Sequence, residues 1–395
     1  MARIVVNSYM VRYPLGGNLS WALQWVVGLQ RLGHDVYLVE KSGYPNACFD
    51  LAQGLMTDDC SYGITIVRTL LARFGLENHW CYVDAHGQYH GLSRPRIEAL
   101  VESADLFLDM GTHGVEVDGT WLAEAANAAL RVLVGTEPGL TQMRMTLKLA
   151  AGEPLPHYDA YYTTGLNIGT AQSTAPTAGR SWRPIVDPVV VDLFPWHPRP
   201  VQAPFTTVMN WQSMAPVTFQ GIQYGQKDHE FPKFIGLPGR TRVPLELAVA
   251  GRHAPTEQLR AAGWRVRDAH QVTVSVDSYL AYIRASQGEF SVCKHACVAT
   301  NAGWFSERSA AYLASGRPVV MQDTGFSRHV PCGRGLFAVH TAEEAAAAIE
   351  EIDGDWERHA HWARELACEY LDSRKVLGRM LAELGLTGGS SGGTA

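Results

Sequence analysis

The chain has 395 residues, 46% hydrophobic and 18% charged, which excludes a mostly disordered polymer and predicts two domains rather than one ordinary core. Its formal net charge of -6 argues against a broad electrostatic footprint on nucleic acid, which needs clustered Lys and Arg. The seven cysteines are scattered and odd in number, a pattern expected of free thiols in a reducing compartment rather than of a disulfide framework.

Residues 3–6 form an apolar run that predicts a strand, with no basic n-region and apolar stretch of a secretory leader ahead of it, so a cytoplasmic location is expected. A loop with Pro14, Gly16 and Gly17 follows, then helical spacing through Trp21, Leu23, Trp25, Val26, Leu29 and Leu32. This segment contains Gln24, Gln30 and Arg31 and falls short of the about 20 apolar residues that cross a bilayer, so no membrane span is expected. Gly33 stops the helix and 35–40 reads as a second strand, completing a βαβ opening. Further strands are predicted at 106–110, 131–135 and 160–164, with helices at 64–74, 96–103 and 119–128. That alternation describes a parallel sheet covered on both faces.

From about Thr170 to Pro204 the pattern breaks into small residues and then a proline-rich run, which cannot sustain helices or central strands. The domain reading is therefore 1–180 for a first Rossmann-like unit, 181–204 for a Pro-rich linker and 205–355 for a second unit. Helices over 356–386 are expected to cross back and brace the first unit, and 387–395 is a Gly/Ser/Thr tail expected to be disordered. In the second unit, strands at 206–210, 245–250, 265–268, 289–293, 318–322 and 336–339 alternate with helices at 228–235, 256–262, 277–285, 306–315 and 342–352. The fold class is α/β, with two doubly wound halves.

In such sheets ligands sit at the carboxyl ends of strands, where helix N-termini favour anions. Gly16, Gly17 and Asn18 open the first helix, and the two glycines either let backbone amides approach a ligand or merely make a tight turn. They do not form the GxGxxG fingerprint of a dinucleotide site. The segment Phe290-Ser291-Val292-Cys293-Lys294-His295 ends a buried strand in a lysine. Beyond it, Trp304-Phe305-Ser306-Glu307-Arg308 leads into a helix that stops at Gly316, and Pro318-Val319-Val320 runs to Asp323-Thr324-Gly325.

These residues resemble the donor-binding segment of GT-B glycosyltransferases, where a helix closed by a small residue, Gly, any residue and Pro-Val-Val follows the loop that holds a sugar nucleotide. The Gly16-Gly17 loop and Gly33-His34-Asp35-Val36 are similar to the same class, and the run from Trp304 to Ser309 with Gln322 to Phe326 resembles a group 1-like bacterial subgroup. The resemblance spans most of the chain and implies two Rossmann-like domains facing a cleft. It implies hexosyl transfer from a nucleotide-diphosphate sugar, UDP-linked among the candidates, to a small-molecule acceptor such as a natural product. The sequence departs from many retaining members, which carry two glutamates seven residues apart before the Gly-any-Pro-Val-Val turn. The position of the second is Ala311, and Glu307, a helical turn earlier, is the carboxylate available to a ribose. Retention or inversion stays open.

Leaving-group charge on a diphosphate must be neutralised, and Lys294 and Arg252, each just past a strand end, suit that role with the amides around Ser306. Lys227 and Asp228 after Gly225 are weaker candidates for the same task, Trp211 is a candidate for stacking on a base or sugar, and His295 for touching donor sugar. The complete set of donor candidates is Gly16, Gly17, Asn18, Trp211, Arg252, Lys294, His295, Ser306, Glu307, Arg308, Asp323, Thr324 and Gly325. For the acceptor hydroxyl a base is needed, and Asp109, His113 and Glu137 lie at strand ends of the first half. Cys293, His295 and Cys297 are close in sequence, but no second ligand cluster and no Asp-any-Asp motif accompany them. The expectation is thus no metal and no cofactor beyond the sugar nucleotide as co-substrate. The reading admits a homodimer and leaves two alternatives open, a catalytically inactive sugar-nucleotide sensor and a sugar-nucleotide 2-epimerase.

Overall fold

The computed structural model describes residues 1–110, 121, 123–251 and 253–386. The predicted tail and the helix start near 119 lie outside these residues.

Two sheets form the frame. The first contains β1 (Arg3–Asn7), β2 (Asp35–Lys41), β5 (Trp80–Val83), β6 (Tyr89–Gly91), β7 (Leu106–Asp109), β8 (Arg131–Gly135), β9 (Ala160–Thr163) and β10 (Trp182–Pro184). Their order is β10-β9-β8-β7-β1-β2-β5-β6, parallel except for the β5–β6 hairpin at one edge. A two-stranded ribbon, β3 (Cys48–Asp50) with β4 (Leu55–Thr57), stands apart. The second sheet, β15-β14-β11-β16-β17-β18, is wholly parallel. It is built from β11 (Phe205–Asn210), β14 (Leu245–Ala250), β15 (Arg265–Asp268), β16 (Gly288–Ser291), β17 (Val319–Gln322) and β18 (Leu336–Val339), with a small β12 (Val217–Phe219) and β13 (Ile222–Tyr224) ribbon beside it.

The strands read off their apolar runs stand within a residue or two of their expected ends, because strands covered on both faces are mainly apolar. In both sheets the chain reverses its winding beside the first strand, between β1 and β7 and between β11 and β16. Ligands of doubly wound sheets bind at such reversals, so Asn7, Asp109, Asn210 and Ser291 mark the two crevice floors.

One boundary is corrected. Trp182–Pro184, assigned above to the linker, pairs with β9 and closes the first sheet. Trp182 packs edge-on against Tyr161 at 5.5 Å between ring centroids, and Pro184 is tolerated because β10 is an edge strand whose outer side needs no N–H.

The lobes are pressed together along a long seam. One apolar cluster runs from Trp21 and Trp25 of the Gly16–Arg31 helix through Tyr279, Phe305 and Leu313 to Leu377 and Leu381. A separate cluster fills the second lobe under the Ala342–Gly354 helix. The Ser373–Glu383 helix returns to the first lobe, and a Cβ on Gly28 would lie 2.7 Å from Leu377 and 3.0 Å from Ser373. Tyr162 donates to Glu383 at 2.8 Å, and across the same seam the Ser373 N–H donates to the Val189 carbonyl at 2.8 Å and the Val189 N–H to the Leu371 carbonyl at 2.7 Å. Gly16 makes the tightest approach. Its N–H donates to the Thr273 carbonyl at 2.7 Å, and a Cβ there would lie 2.1 Å from the Ser275 carbonyl oxygen.

Gly16→Ala is therefore expected to force backbone apart and destabilise the fold by about 1–3 kcal/mol or more. Gly17→Ala, whose Cβ would meet nothing nearer than the Tyr279 ring at 3.6 Å, should be neutral or stabilising in chemical denaturation.

Candidate functional site

The loop after β1 owes its shape to one carboxylate. Glu40, the buried penultimate residue of β2, accepts from the backbone N–H of Met10, Val11 and Arg12 at 2.8, 2.7 and 3.1 Å, and from Arg12 Nε at 2.9 Å. Asn18 finishes the loop by donating to the Tyr9 and Tyr13 carbonyls at 2.7 and 2.9 Å. Tyr9 is held where burial first, and then the carboxylates of Glu137 and Glu307, raise its phenol above its usual range. Three elements thus meet at this point: the first-lobe loops carrying Tyr9 and Glu137, and the start of the Glu307–Ala314 helix in the second lobe.

A second buried ion pair fixes that helix start. Arg308 Nε pairs with Glu289 of β16, its Nη1 donates to the Val208 carbonyl of β11 at 3.0 Å, and its Nη2 donates to Ser291 Oγ at 2.6 Å. Removing either charge alone strands the other in the interior, at a cost of about 3–5 kcal/mol. Ser306 caps the helix by accepting from the Arg308 N–H at 3.3 Å. The neighbouring Glu307 is half-buried and acts electrostatically on Tyr9, Asp187, Lys227 and Tyr279.

Lys294 and Glu137 come from opposite lobes and meet. The ammonium donates to both carboxylate oxygens, at 2.5 and 2.6 Å, with each side chain about four-fifths covered. Lys227 differs from it. It begins the short Lys227–Glu230 helix and is 5% exposed, yet its ammonium has no hydrogen-bond or ion-pair partner among the described residues. Burial, reinforced by the charges of Arg308 and Lys294, pushes it down from 10.5 to about 7. Next to it, Gln226 keeps a buried Nε2 without a partner. An unpaired cation next to an unsatisfied buried donor can receive an anion. Asp187, buried and accepting from Trp21 Nε1 at 2.8 Å, is pushed up to about 7 by desolvation and by Glu307.

Of the residues singled out from the sequence, the structure gathers Glu137, Lys294 and Glu307 near Tyr9, with Ser306 capping the helix that carries Glu307 and Gly17 against Tyr279. His295 follows Lys294, accepts from the Gly225 N–H at 3.2 Å and stacks on His229 at 5.3 Å. Others are taken up by the fold. Trp211 is buried against Phe231 at 5.4 Å, so its ring has no open face for a base. Asp109 is 1% exposed between Asn7 at 3.2 Å and Tyr158 at 2.5 Å, which removes it from any acceptor as the lobes stand. Arg308 and Asn18 are spent as described. Thr324 donates to the Trp304 carbonyl at 2.6 Å, and Asp323 ties down the Gly325 N–H at 2.8 Å and Ser327 Oγ at 2.6 Å.

Gly325, at φ 92°, is needed because a Cβ would lie 2.4 Å from Asn167 Nδ2 of the first lobe. The first-lobe turn at Gly165–Asn167 bonds to Ala302 and Gly303, so this loop is part of the seam. His113 and Arg252 lie outside the described residues. Asp187, Tyr9 and Glu40 were not found from the sequence, since none belongs to a motif and only the tertiary fold brings them to the gap. A cavity of about 380 Å³ at the carboxyl ends of β14 and β15, lined by Val249, Gly251, His253 and Asp268 among others, adjoins the Trp211-Gln212 turn. Gln212 in turn bonds Asp228 at 2.6 Å.

No protein-family model matches the sequence, and no curated protein does. Solved structures match over nearly the whole chain. An alpha-glucosyltransferase in complex with UDP and a 13-mer DNA aligns with a TM-score of 0.58 at 9% identity, covering 97% of this chain and 99% of its own. HepE of Anabaena in complex with UDP aligns at 0.53 and 14% identity, covering 98% and 100%. AviGT4, a glycosyltransferase involved in avilamycin A biosynthesis, aligns at 0.52 and 13%, covering 97% of each chain. The chain has the GT-B fold. In this GT-B frame the gap between lobes coincides with both winding reversals, and the cations described above lie on the second lobe's side of it. No helix among the described residues is long and apolar enough to cross a membrane.

The depressed ammonium of Lys227 carries a stability signature. Between about pH 7 and pH 10.5 the unfolded chain binds more protons at this position than the folded one, so the penalty is complete below pH 7 and fades as pH rises. Lys227→Met is expected to stabilise the ligand-free protein most at about pH 6 and least at about pH 10, read from denaturant midpoints across pH.

Proposed function

We propose that this GT-B protein is a glycosyltransferase that moves a sugar from a nucleotide-diphosphate donor to a small-molecule acceptor. The observation that carries the reading is Lys227, a buried residue whose ammonium has no hydrogen-bond or ion-pair partner among the described residues, beside Lys294 at the winding reversal of the second sheet. A diphosphate supplies the missing negative charge, and the N-terminus of the Glu307–Ala314 helix adds oriented amides. In the transition state the leaving diphosphate gains charge, and fixed cations in a water-poor gap stabilise that charge more than they stabilise the intact donor. The cavity past β14 and β15 has room for part of the nucleoside. Solved structures of this fold that contain UDP support the choice of ligand class.

Lys294 and Glu137 then act as an exchange pair. With the gap empty each neutralises the other. When the donor enters, Lys294 turns to the phosphates, and Glu137 is released as a carboxylate able to take the acceptor's hydroxyl proton. Glu307 and His295 face ribose and sugar hydroxyls in this arrangement. The acceptor belongs to the small molecules, a natural product being the reading that AviGT4 favours, and no metal is required at the diphosphate because protein cations carry its charge.

A panel of UDP-, GDP- and dTDP-sugars tests the proposal by thermal protection and by donor hydrolysis. At least one should protect the protein and be turned over. Lys294→Ala should weaken binding of the matching nucleoside diphosphate by about 1.5–3 kcal/mol, roughly 10- to 150-fold. Absence of protection and hydrolysis across the panel would refute the reading. Tight binding without turnover on broad acceptor screens would favour a sensor instead.

A further inference from the structure

Away from the gap, at the far edge of the first sheet, three side chains of different chemistry converge. Cys60 immediately precedes the Ser61–Ala72 helix at its N-cap position but makes no side-chain cap bond, so its sulfur is not used to finish the helix. Asp84 follows β5, and His90 lies in β6 opposite Tyr82, so the hairpin brings the two back together. His90 Nε2 is 2.9 Å from Asp84 Oδ2 and 3.8 Å from Cys60 Sγ, and all three donor atoms lie within 4.8 Å of one another. Cys60 is buried and Asp84 and His90 are half-buried, His90 with 22% of its side chain exposed, which leaves a path to solvent.

The direction of these contacts separates two readings. A Cys-His-Asp relay for nucleophilic catalysis needs the thiol and the carboxylate on opposite ring nitrogens, so that a proton can pass through the imidazole. Here both address the same nitrogen, Nε2. Three donor atoms of this chemistry within 4.8 Å of one another are grouped as metal ligands are. A tetrahedral zinc ion, with bonds of about 2.0–2.3 Å, sets its ligand atoms about 3.3–3.6 Å apart, and the observed 2.9 and 3.8 Å bracket that spacing.

We propose that Cys60, Asp84 and His90 form a three-ligand site for a zinc-class divalent metal, with a fourth position open to water. Thiolate and imidazole select zinc and its neighbours over magnesium or calcium, which prefer all-oxygen shells. The carboxylate is already oriented for the task. Asp84 Oδ1 accepts from the His86 and Gln88 N–H groups, both at 2.9 Å, which leaves Oδ2 to turn toward the metal. A bound ion would clip the start of the Ser61–Ala72 helix to the edge hairpin, joining segments that meet only through the fold. The site is distinct from the diphosphate gap and does not depend on the transferase reading.

Full-length protein, dialysed against chelator and then titrated with Co2+, gives the test. Thiolate coordination should produce a sulfur-to-cobalt charge-transfer band in the near ultraviolet, and added Zn2+ should abolish it. The band should vanish in Cys60→Ser and persist in Cys48→Ser, whose sulfur bonds the Tyr82 hydroxyl at 3.1 Å. Should Cys60→Ser fail to fold, Asp84→Asn and His90→Gln serve instead, each weakening Zn2+ binding at least about tenfold. No charge-transfer band in the wild type, a band unchanged in Cys60→Ser, or wild-type Zn2+ affinity in both alternative variants would overturn the proposal.

Discussion

A lysine buried without a counter-ion is the constraint around which this molecule is arranged. Taking an ammonium out of water is costly, and proteins ordinarily pair it or leave it at the surface. Lys227 is neither paired among the described residues nor exposed, and the repulsion from Arg308 and Lys294 is only partly offset by the carboxylate of Glu307. A fold retains such a group when something outside the chain completes it. At the carboxyl end of a parallel sheet, beside a helix start and the unpartnered Gln226 Nε2, the completing group in the proposed reading is an anion.

The remaining structure holds that charge in place. The Arg308–Glu289 pair ties the helix start to two central strands, and Glu40 does the equivalent work for the first-lobe loop by gathering three backbone N–H groups. Gly16 against Ser275, Gly303 and Gly325 against Asn167, and Gly28 against Leu377 then allow the lobes to approach to backbone distance. Such contacts hold the lobes close together. In the proposed reading the Lys294–Glu137 pair, which joins the two lobes, is an attraction that a donor replaces, coupling donor entry to release of a carboxylate.

The frame was legible in the sequence because central strands such as Leu106–Asp109 and Val319–Gln322 are mainly apolar runs, and Gly33 and Gly316 punctuate helices of the frame. Edge elements were not. Trp80–Val83 precedes the Asp84 turn without a distinctive pattern, and the β12–β13 ribbon turns at Gln220-Gly221 on positive φ angles that residue identity signals only through the glycine. The site was legible in part, since Lys294 and Glu137 each lie just past a strand end. Trp211, Arg308 and Thr324 have the chemistry of ligand contacts but are taken up by packing and internal bonds, a distinction that exists only in three dimensions. For Lys227 the converse holds: nothing in Gly225-Gln226-Lys227 says that the residue is buried without an ion-pair partner among the described residues. The Cys60, Asp84 and His90 cluster was invisible because a hairpin and a helix start, not spacing, bring its members together.

The most direct measurement is the proton count on binding a nucleoside diphosphate, from calorimetry of UDP, GDP and dTDP in buffers of different ionisation enthalpy at about pH 8. An ammonium that titrates at about 7 in the free protein is largely neutral there, and a diphosphate raises its affinity for the proton. The account predicts uptake approaching one proton with the matching nucleotide, abolished in Lys227→Met. Binding with no uptake, uptake unchanged in Lys227→Met, or no binding of any of the three would contradict it.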